Sequence, residues 1–541
     1  MKTTTGGSTL LAAAAISSLL CANAPAQVPL STPSVASARF SVQSVRILGN
    51  TLLPETELQA VVARWIGEER TLGDLQQAAS AVQTRYRKAG YGGVVAYVPE
   101  QSLQNGQVTI QVVEGKLARV AIAGNTRYSE AQIRSSLPNL RLGETPLIPA
   151  IDRDIQLANE NPAKELQVRL GAGAKPGEVA ADIKVVERDP LRIFVNLDNT
   201  GNAATGEERV SVGVQHANLW NLDHIGTLQY QTSPTEPQLV HVYSVGYRIP
   251  LYGRSASIDA FYAHSSVENG TTFTTAGPLQ FTGRGSVAGL RADRYLTRLG
   301  EYDHRVTLGL DRRAYDNDCS IGSLGSAGCG TAAASVTVLP LSIAYTGQVQ
   351  TPAVSWGTST ALSHNVGGSN SGKFDAARPG AEKNYTVLRF SGFYSRNFSS
   401  GFGVQARASA QYSADALVPG EQIGLGGAAS VRGYRERELA GDYGAIVNLE
   451  ALGPDFGKVT GFDQASLRPL LFADYGHAAN HKNAPCRGTD TRCSLSSIGL
   501  GVRLAFGRNV SARVEFGHAL KDSTQTSSGS TRGHFALNTV F

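Results

Sequence analysis

The sequence contains no apolar run approaching the ~18–20 residues that a membrane-spanning helix needs. That absence excludes a helical membrane protein beyond the amino-terminal leader. It leaves open a β-barrel, whose hydropathy signal is weak in each strand. Charge is sparse as well: 17% of residues are Asp, Glu, Lys or Arg, and the net charge is +5. Such a modest balance argues against a nucleic-acid partner, which calls for clustered Lys and Arg. Cysteine is scarce, with five in 541 residues, and Cys21 lies in the leader. The other four form two short-range pairs, Cys319 with Cys329 and Cys486 with Cys493, in polar Gly/Ser-rich segments. Neither pair has C-x-x-C spacing or a histidine arrangement that closes a tetrahedron. Local disulfides of an exported protein are the expectation, and no metal site is predicted. H-E-x-x-H and G-x-S-x-G motifs are missing, and most histidines are isolated from one another. The glycines at 424–427 lack the strand–turn–helix context and the Lys-Ser/Thr of a phosphate loop. No catalytic residue and no cofactor are therefore expected.

What is present begins with a secretory signal over residues 1–26. Lys2 supplies the charge, Leu10–Leu20 the short apolar core, and Ala24-Pro25-Ala26 a small-residue cleavage site before Gln27. Residues 27–38 read as a short linker in which Pro29 and Pro33 disfavour a helix.

Residues 39–115 and 116–189 read as a duplicated module. Val45-Arg46-Ile47-Leu48-Gly49-Asn50-Thr51 returns as Val120-Ala121-Ile122-Ala123-Gly124-Asn125-Thr126. Val112-Val113-Glu114 returns as Val185-Val186-Glu187. Each unit opens with a strand and a Gly-Asn turn. Helical patterns follow at 54–66 and 72–88, then at 129–137 and 151–159. Closing strands are expected at 94–98 and 108–113, then at 166–170 and 179–186. The β-α-α-β-β order predicts small α+β domains with helices on one sheet face. Their open strand edges suit an extended peptide; the plainer alternative is a pair of spacers.

From residue 190 to 541, helical periodicity gives way to short alternating segments. Ile498, Leu500, Val502, Leu504 and Phe506 alternate with Ser497, Gly499, Gly501, Arg503 and Ala505. Sixteen such strands are expected, from 191–198 through 467–475 and 496–506 to 533–541. Long loops, such as 266–285, 368–383 and 414–444, alternate with shorter turns, such as 218–223 and 249–254. A lipid-facing apolar exterior around a polar lumen explains this; a soluble core does not. The last strand places Phe535, Leu537 and Phe541 on one face and is expected to close the barrel.

Within the 414–444 loop stands Val431-Arg432-Gly433-Tyr434, and on a later strand Phe472-Ala473-Asp474-Tyr475-Gly476. Alternation points Phe472 and Asp474 into the lumen. The planar fork of Arg432 matches the Asp474 carboxylate, and such a pair would fix the loop inside the barrel; the alternative is a solvated loop arginine.

These two motifs resemble the loop-six and strand motifs of the POTRA-bearing outer-membrane barrels. Over residues 38–541 the chain resembles the two-partner secretion transporter (TpsB, haemolysin-activator) family. Asp198-Asn199-Thr200-Gly201 and Thr232-Ser233-Pro234 also resemble family segments. The resemblance implies two periplasmic POTRA domains, then a 16-stranded antiparallel transmembrane β-barrel in the bacterial outer membrane. It implies a secreted, TpsA-like exoprotein partner, delivered unfolded and exported without ATP or cofactor. It also implies an Arg432–Asp474 pair and contacts with outer-membrane lipid and lipopolysaccharide. The barrel-assembly machinery would read the terminal Phe541, and the transporter would be a monomer. Some members carry an amino-terminal plug helix; residues 27–38 are expected not to form one. An insertase of the same superfamily is the alternative, although insertases usually carry three or more POTRA domains. A passive porin would need no periplasmic polypeptide receptor.

Overall fold

The computed structural model describes residues 39–102, 105–267, 270–275, 277–281, 284–316, 334–462 and 464–541. The expected signal, the 27–38 linker and the Cys319–Cys329 pair lie outside the described residues.

The first repeat runs from strand Ser44–Leu48 through helices Glu55–Val62 and Leu72–Lys88 to strands Val94–Tyr97 and Gln107–Glu114. Thr71 and Asp74 cap the longer helix reciprocally, satisfying donors that its first turn leaves free. Leu75, Ala78, Ala79, Val82 and Tyr86 then share a helical face and pack on Val45, Val108, Ile110 and Val112. The second repeat follows the same order: strand Lys116–Ala123, helices Glu130–Ser135 and Ile148–Ala158, strands Lys164–Ala172 and Glu178–Glu187. In each sheet the opening strand lies parallel to the last, and the fourth element pairs antiparallel on its other side. A two-stranded sheet of Phe40–Val42 with Gly67–Arg70 was not expected, because such short strands show no period.

The repeated glutamate has a structural job. Glu114 accepts from the Thr51 and Leu52 amides at 2.7 and 2.9 Å and from the Tyr86 hydroxyl at 2.7 Å. Glu187 accepts from the Thr126, Arg127 and Tyr128 amides at 3.0, 2.7 and 3.1 Å. Each carboxylate thus clamps the Gly-Asn-Thr turn of its own repeat. Burial raises the Glu114 carboxyl, but bonds from Thr51, Tyr86 and the Leu52 amide outweigh it and hold it below the ordinary range. A depressed folded value stabilises above the unfolded pKa of about 4.3, and that stabilisation fades as pH falls through the lower folded value. Glu114→Gln should therefore lower stability at neutral pH and flatten the acid loss. The check is thermal unfolding read at Trp65, buried in this repeat, with Trp220 and Trp356 replaced by Phe.

The rest of the chain closes into one antiparallel barrel of sixteen strands. In chain order these are Leu191–Asp198, Arg209–Leu219, His224–Thr232, Val242–Leu251, Ala256–Ser265, Gly285–Tyr295, Tyr302–Tyr315, Val336–Gln350, Val354–Gly368, Thr386–Asn397, Gly403–Ser413, Tyr443–Leu452, Ala465–Ala479, Arg492–Phe506, Val510–Ala519 and Thr531–Val540. The expected strands all exist. Their ends shift by up to about four residues, as hydrophobic pattern alone sets boundaries poorly. The last strand ends at Val540 rather than Phe541, yet Phe541 still exchanges backbone bonds with Ile193. Closure pairs Ala536 with Asp198 through Val540 with Phe194. Outward side chains form an apolar band: Leu228, Leu341, Leu471 and Leu500 are 55%, 52%, 64% and 55% exposed. A bare surface of this kind is suited to lipid.

Three expected loops contain structure. Segment 266–285 holds a hairpin, Gly270–Thr274 with Gly277–Phe281. Segment 368–383 holds the helix Ser371–Ala377, capped by Asn370. The 414–444 loop carries a short ladder, Ile423–Leu425 with Leu439–Gly441. Each element is too short to stand out as periodic. Cys486 and Cys493 form a disulfide with Cα atoms 6.2 Å apart.

The second repeat docks on the short turns at one end of the barrel. Lys164 is fully buried and ion-paired with Asp223 on the turn after the second strand. Tyr252, on the next turn at the same end, donates to Asp223 at 2.8 Å. Asn161 donates to the Ala217 carbonyl at 2.7 Å, and Glu160 pairs with Arg305 at 3.2 Å.

Candidate functional site in the barrel lumen

Arg432 is 1% exposed, so it is not a solvated loop charge. The long loop between the eleventh and twelfth strands folds back into the barrel and delivers it to the lumenal wall. Arg432 Nε and Nη2 donate to the two Asp474 oxygens, each at 2.7 Å. Its backbone amide adds a third bond to Asp474 at 3.0 Å. The remaining nitrogen, Nη1, meets Glu450 at 2.8 Å and Glu515 at 3.3 Å. The guanidinium carbon stands over the Phe472 ring, 3.5 Å from its centroid, so the cation rests on the ring face.

Neighbouring motif residues set the backbone path. Gly433 has φ +91°, a left-handed conformation that glycine adopts without strain. A Cβ there would fall 2.8 Å from the Gly517 carbonyl of the fifteenth strand. Gly476 leaves room on the thirteenth strand, where a Cβ would fall 2.9 Å from Val431 Cγ2. Val431 and Tyr434 are buried with Leu425, Leu439 and Leu495. The Tyr434 hydroxyl donates to the Ser496 and Lys521 carbonyls, both at 2.9 Å.

Several members of this site were not expected. Glu450 pairs with Arg432, with Arg407 at 3.3 Å and with Arg503. Asn448 donates to Asp474 at 2.8 Å and to the Ser430 carbonyl at 2.6 Å. His534, on the last strand, accepts from the Gly433 amide at 3.0 Å. Their lumenal parity was readable from alternation; their meeting with Arg432 was not. Earlier in the loop, buried Glu421 pairs with Arg313 at 2.9 Å and Arg389 at 3.0 Å, and accepts from Tyr315 at 2.8 Å. The loop is thus pinned at its root and at its tip. Phe535 and Leu537 lie on the strand that closes the barrel, Phe535 next to His534, and Phe541 follows its end. No metal-holding cluster occurs among the described residues.

The comparisons agree with this architecture. A sequence model described as haemolysin secretion/activation protein ShlB/FhaC/HecB matches residues 177–504, and one for the ShlB-type POTRA domain matches residues 40–115. The outer membrane transporter CdiB of Dickeya dadantii is 26% identical over 494 residues, 88% of this chain and 82% of that protein. The heme/hemopexin transporter protein HuxB of Haemophilus influenzae is 22% identical over 498 residues, 89% of this chain and 84% of its own. The solved structure of CdiB from Escherichia coli shares the fold with a TM-score of 0.77 at 19% identity, covering 95% of this chain and 93% of that one. CdiB from Acinetobacter baumannii gives 0.70 at 16% identity, covering 93% and 90%. The chain belongs to the haemolysin secretion/activation protein family of ShlB, FhaC and HecB, outer-membrane transporters with POTRA repeats in the periplasm and a sixteen-stranded barrel in the membrane.

Proposed function

We propose that this protein captures an unfolded exoprotein partner with its POTRA repeats and exports it through the barrel, as in two-partner secretion. The observation that carries this reading is loop six, held inside a closed barrel by Arg432 and Asp474 above a docked periplasmic repeat. A pore for small solutes needs neither part. The sheet order leaves Val94–Tyr97 and the later part of Lys164–Ala172, beyond the Leu166 backbone that Asn159 covers, at open edges, with Val95 and Tyr97 exposed. An extended segment can add there as one more strand, its backbone supplying affinity for many sequences. Nothing in the proposed cycle consumes a nucleotide or uses a cofactor. The transporter acts as a monomer, in contact with lipid and lipopolysaccharide. The barrel-assembly machinery reads Phe541 during insertion.

The test is export of the large exoprotein encoded beside this chain, compared between wild type and a strain lacking the transporter. Loss of the exoprotein from the medium, with other outer-membrane proteins assembled normally, is the expected result. Normal export without the transporter would overturn the reading. Failed assembly of other barrels would move the function to an insertase.

A further inference from the structure

The lumenal walls are not alike. The wall of strands twelve to fifteen is covered by loop six through Arg432, Asp474, Glu450 and Glu515. The wall of strands three to five is covered by the inward-folded hairpin Gly270–Phe281, which packs on all three strands. Gly246 on the fourth strand faces it so closely that a Cβ would lie 2.7 Å from the Thr275 amide. Strands six and seven carry paired charges, Arg291 with Asp311 and Arg313 with Glu421.

The eighth and ninth strands differ. Over Val336–Gln350 and Val354–Gly368 there is no Asp, Glu, Lys or Arg. Their mid-strand lumenal positions are small: Ser342, Ala344 and Thr346 stand opposite Ser363, Ala361 and Ser359. Strands ten and eleven continue the surface with Ser391 and Ser409, and with one ring, Phe393, over Gly357 of the ninth strand. Their lumenal arginines are paired, Arg389 to Glu421 and Arg407 to Glu450. Two cavities, of about 580 and 350 Å³, lie along this wall and share Ser359, Ser391, Ser409 and Ala429 as lining. Ala429 belongs to the tip of loop six. The tip therefore turns Arg432 toward strands twelve to fifteen and Ala429 toward strands eight to eleven, while Glu421, Glu436 and Arg437 of the same loop line the larger cavity with Arg313 and Arg389. The polar contacts of the second POTRA repeat fall under strands two to seven, away from this wall.

We propose that the exported polypeptide passes as an extended chain along the wall of strands eight to eleven, between that wall and the tip of loop six. This rests on the transporter reading and names the path within it. A track that must pass every sequence has to attract none strongly. A bare lumenal charge would hold oppositely charged residues, and a large apolar face would hold aromatic ones. The Ser, Thr, Ala and Gly positions provide neither, and the Ser and Thr hydroxyls replace part of the water lost by the passing backbone. The outer end of the track is closed by the helix Ser371–Ala377. Phe374 is buried there against Val336, Val338 and Val387, and Arg378 holds Asp442 at 2.5 Å. Passage requires that helix to move.

The test uses the full transporter with a photo-crosslinking amino acid at Ser359 or Ser409. The exoprotein encoded beside it is stalled in transit by a tightly folded domain fused to its end. Crosslinks to the stalled chain are expected at both positions and not at lipid-facing Leu362. Ser359→Arg should lower export about tenfold or more by placing an unpaired charge on the track, with normal heat-modifiable gel migration. Crosslinks at Thr227 on the third strand, with none at Ser359 or Ser409, would overturn the path and leave the transporter reading standing. Full export by Ser359→Arg would also overturn the path. A wild type that exports nothing overturns the transporter reading, and the path with it.

Discussion

Arg432→Ala should abolish export while the barrel still reaches the outer membrane. The arginine contacts three carboxylates that the folded barrel keeps from water: Asp474, Glu450 and Glu515 are 3%, 4% and 1% exposed. Removing one partner of a buried ion pair costs about 3–5 kcal/mol, because the other charge stays behind unpaired. Here the cost falls unevenly. Glu450 keeps Arg407 and Arg503, whereas Asp474 keeps Asn448 and the backbone amide of residue 432. The damage is therefore expected in the tip of loop six rather than in the strand ladders, which need no side chain. Secreted exoprotein in the medium is the readout, with heat-modifiable migration confirming a folded barrel. Arg432→Lys should recover only part of the export, since an ammonium lacks the planar fork that grips both oxygens of Asp474. Asp474→Asn should resemble Arg432→Ala. Export at the wild-type level from Arg432→Ala would remove the loop-six pair from the mechanism.

Much of the fold was legible because period-two alternation is imposed by the membrane itself. Each lipid-facing position must be apolar, so Ile498 to Phe506 announces its strand with no knowledge of its neighbours. The two motifs likewise announced Arg432 and Asp474. What stayed hidden depends on contacts across the barrel. Glu515 sits between Val514 and Phe516, so its lumenal direction follows from alternation; its approach to Arg432 depends on the path of a loop some eighty residues earlier in the chain. His534 is hidden for the same reason. The hairpin at 270–281 and the helix at 371–377 were read as loops because stability comes to them from the wall they cover, not from their own pattern. Lys164 is the sharpest case. A lysine at the start of an edge strand reads as solvent-facing, and it is buried only because Asp223 of the barrel meets it.

That buried pair gives the second large effect. Lys164→Ala should detach the second POTRA repeat from the barrel rim and stop export without unfolding either part. Lys164 is enclosed by Asp223 and the rings of Tyr128 and Tyr252, whose centroids lie 5.2 and 5.5 Å from its nitrogen. Without it, Asp223 is left with Tyr252 in a site closed to water, a loss of about 3–5 kcal/mol for the docked state. The repeat need not unfold to escape that cost, because undocking returns Asp223 to solvent. Undocking should bare the connection around Arg188–Pro190, where Arg188 now bonds the Ala163 carbonyl and Pro190 accepts from Ala217. Faster trypsin cleavage at Arg188, with barrel migration unchanged, is the expected signature. Lys164→Met combined with Asp223→Asn removes both charges while keeping their volumes, and so should restore much of the protection that Lys164→Ala loses. If that double variant regains the protection but not export, the charge itself acts in transport. If Lys164→Ala shows the wild-type cleavage rate, the pair does not hold the repeat to the barrel.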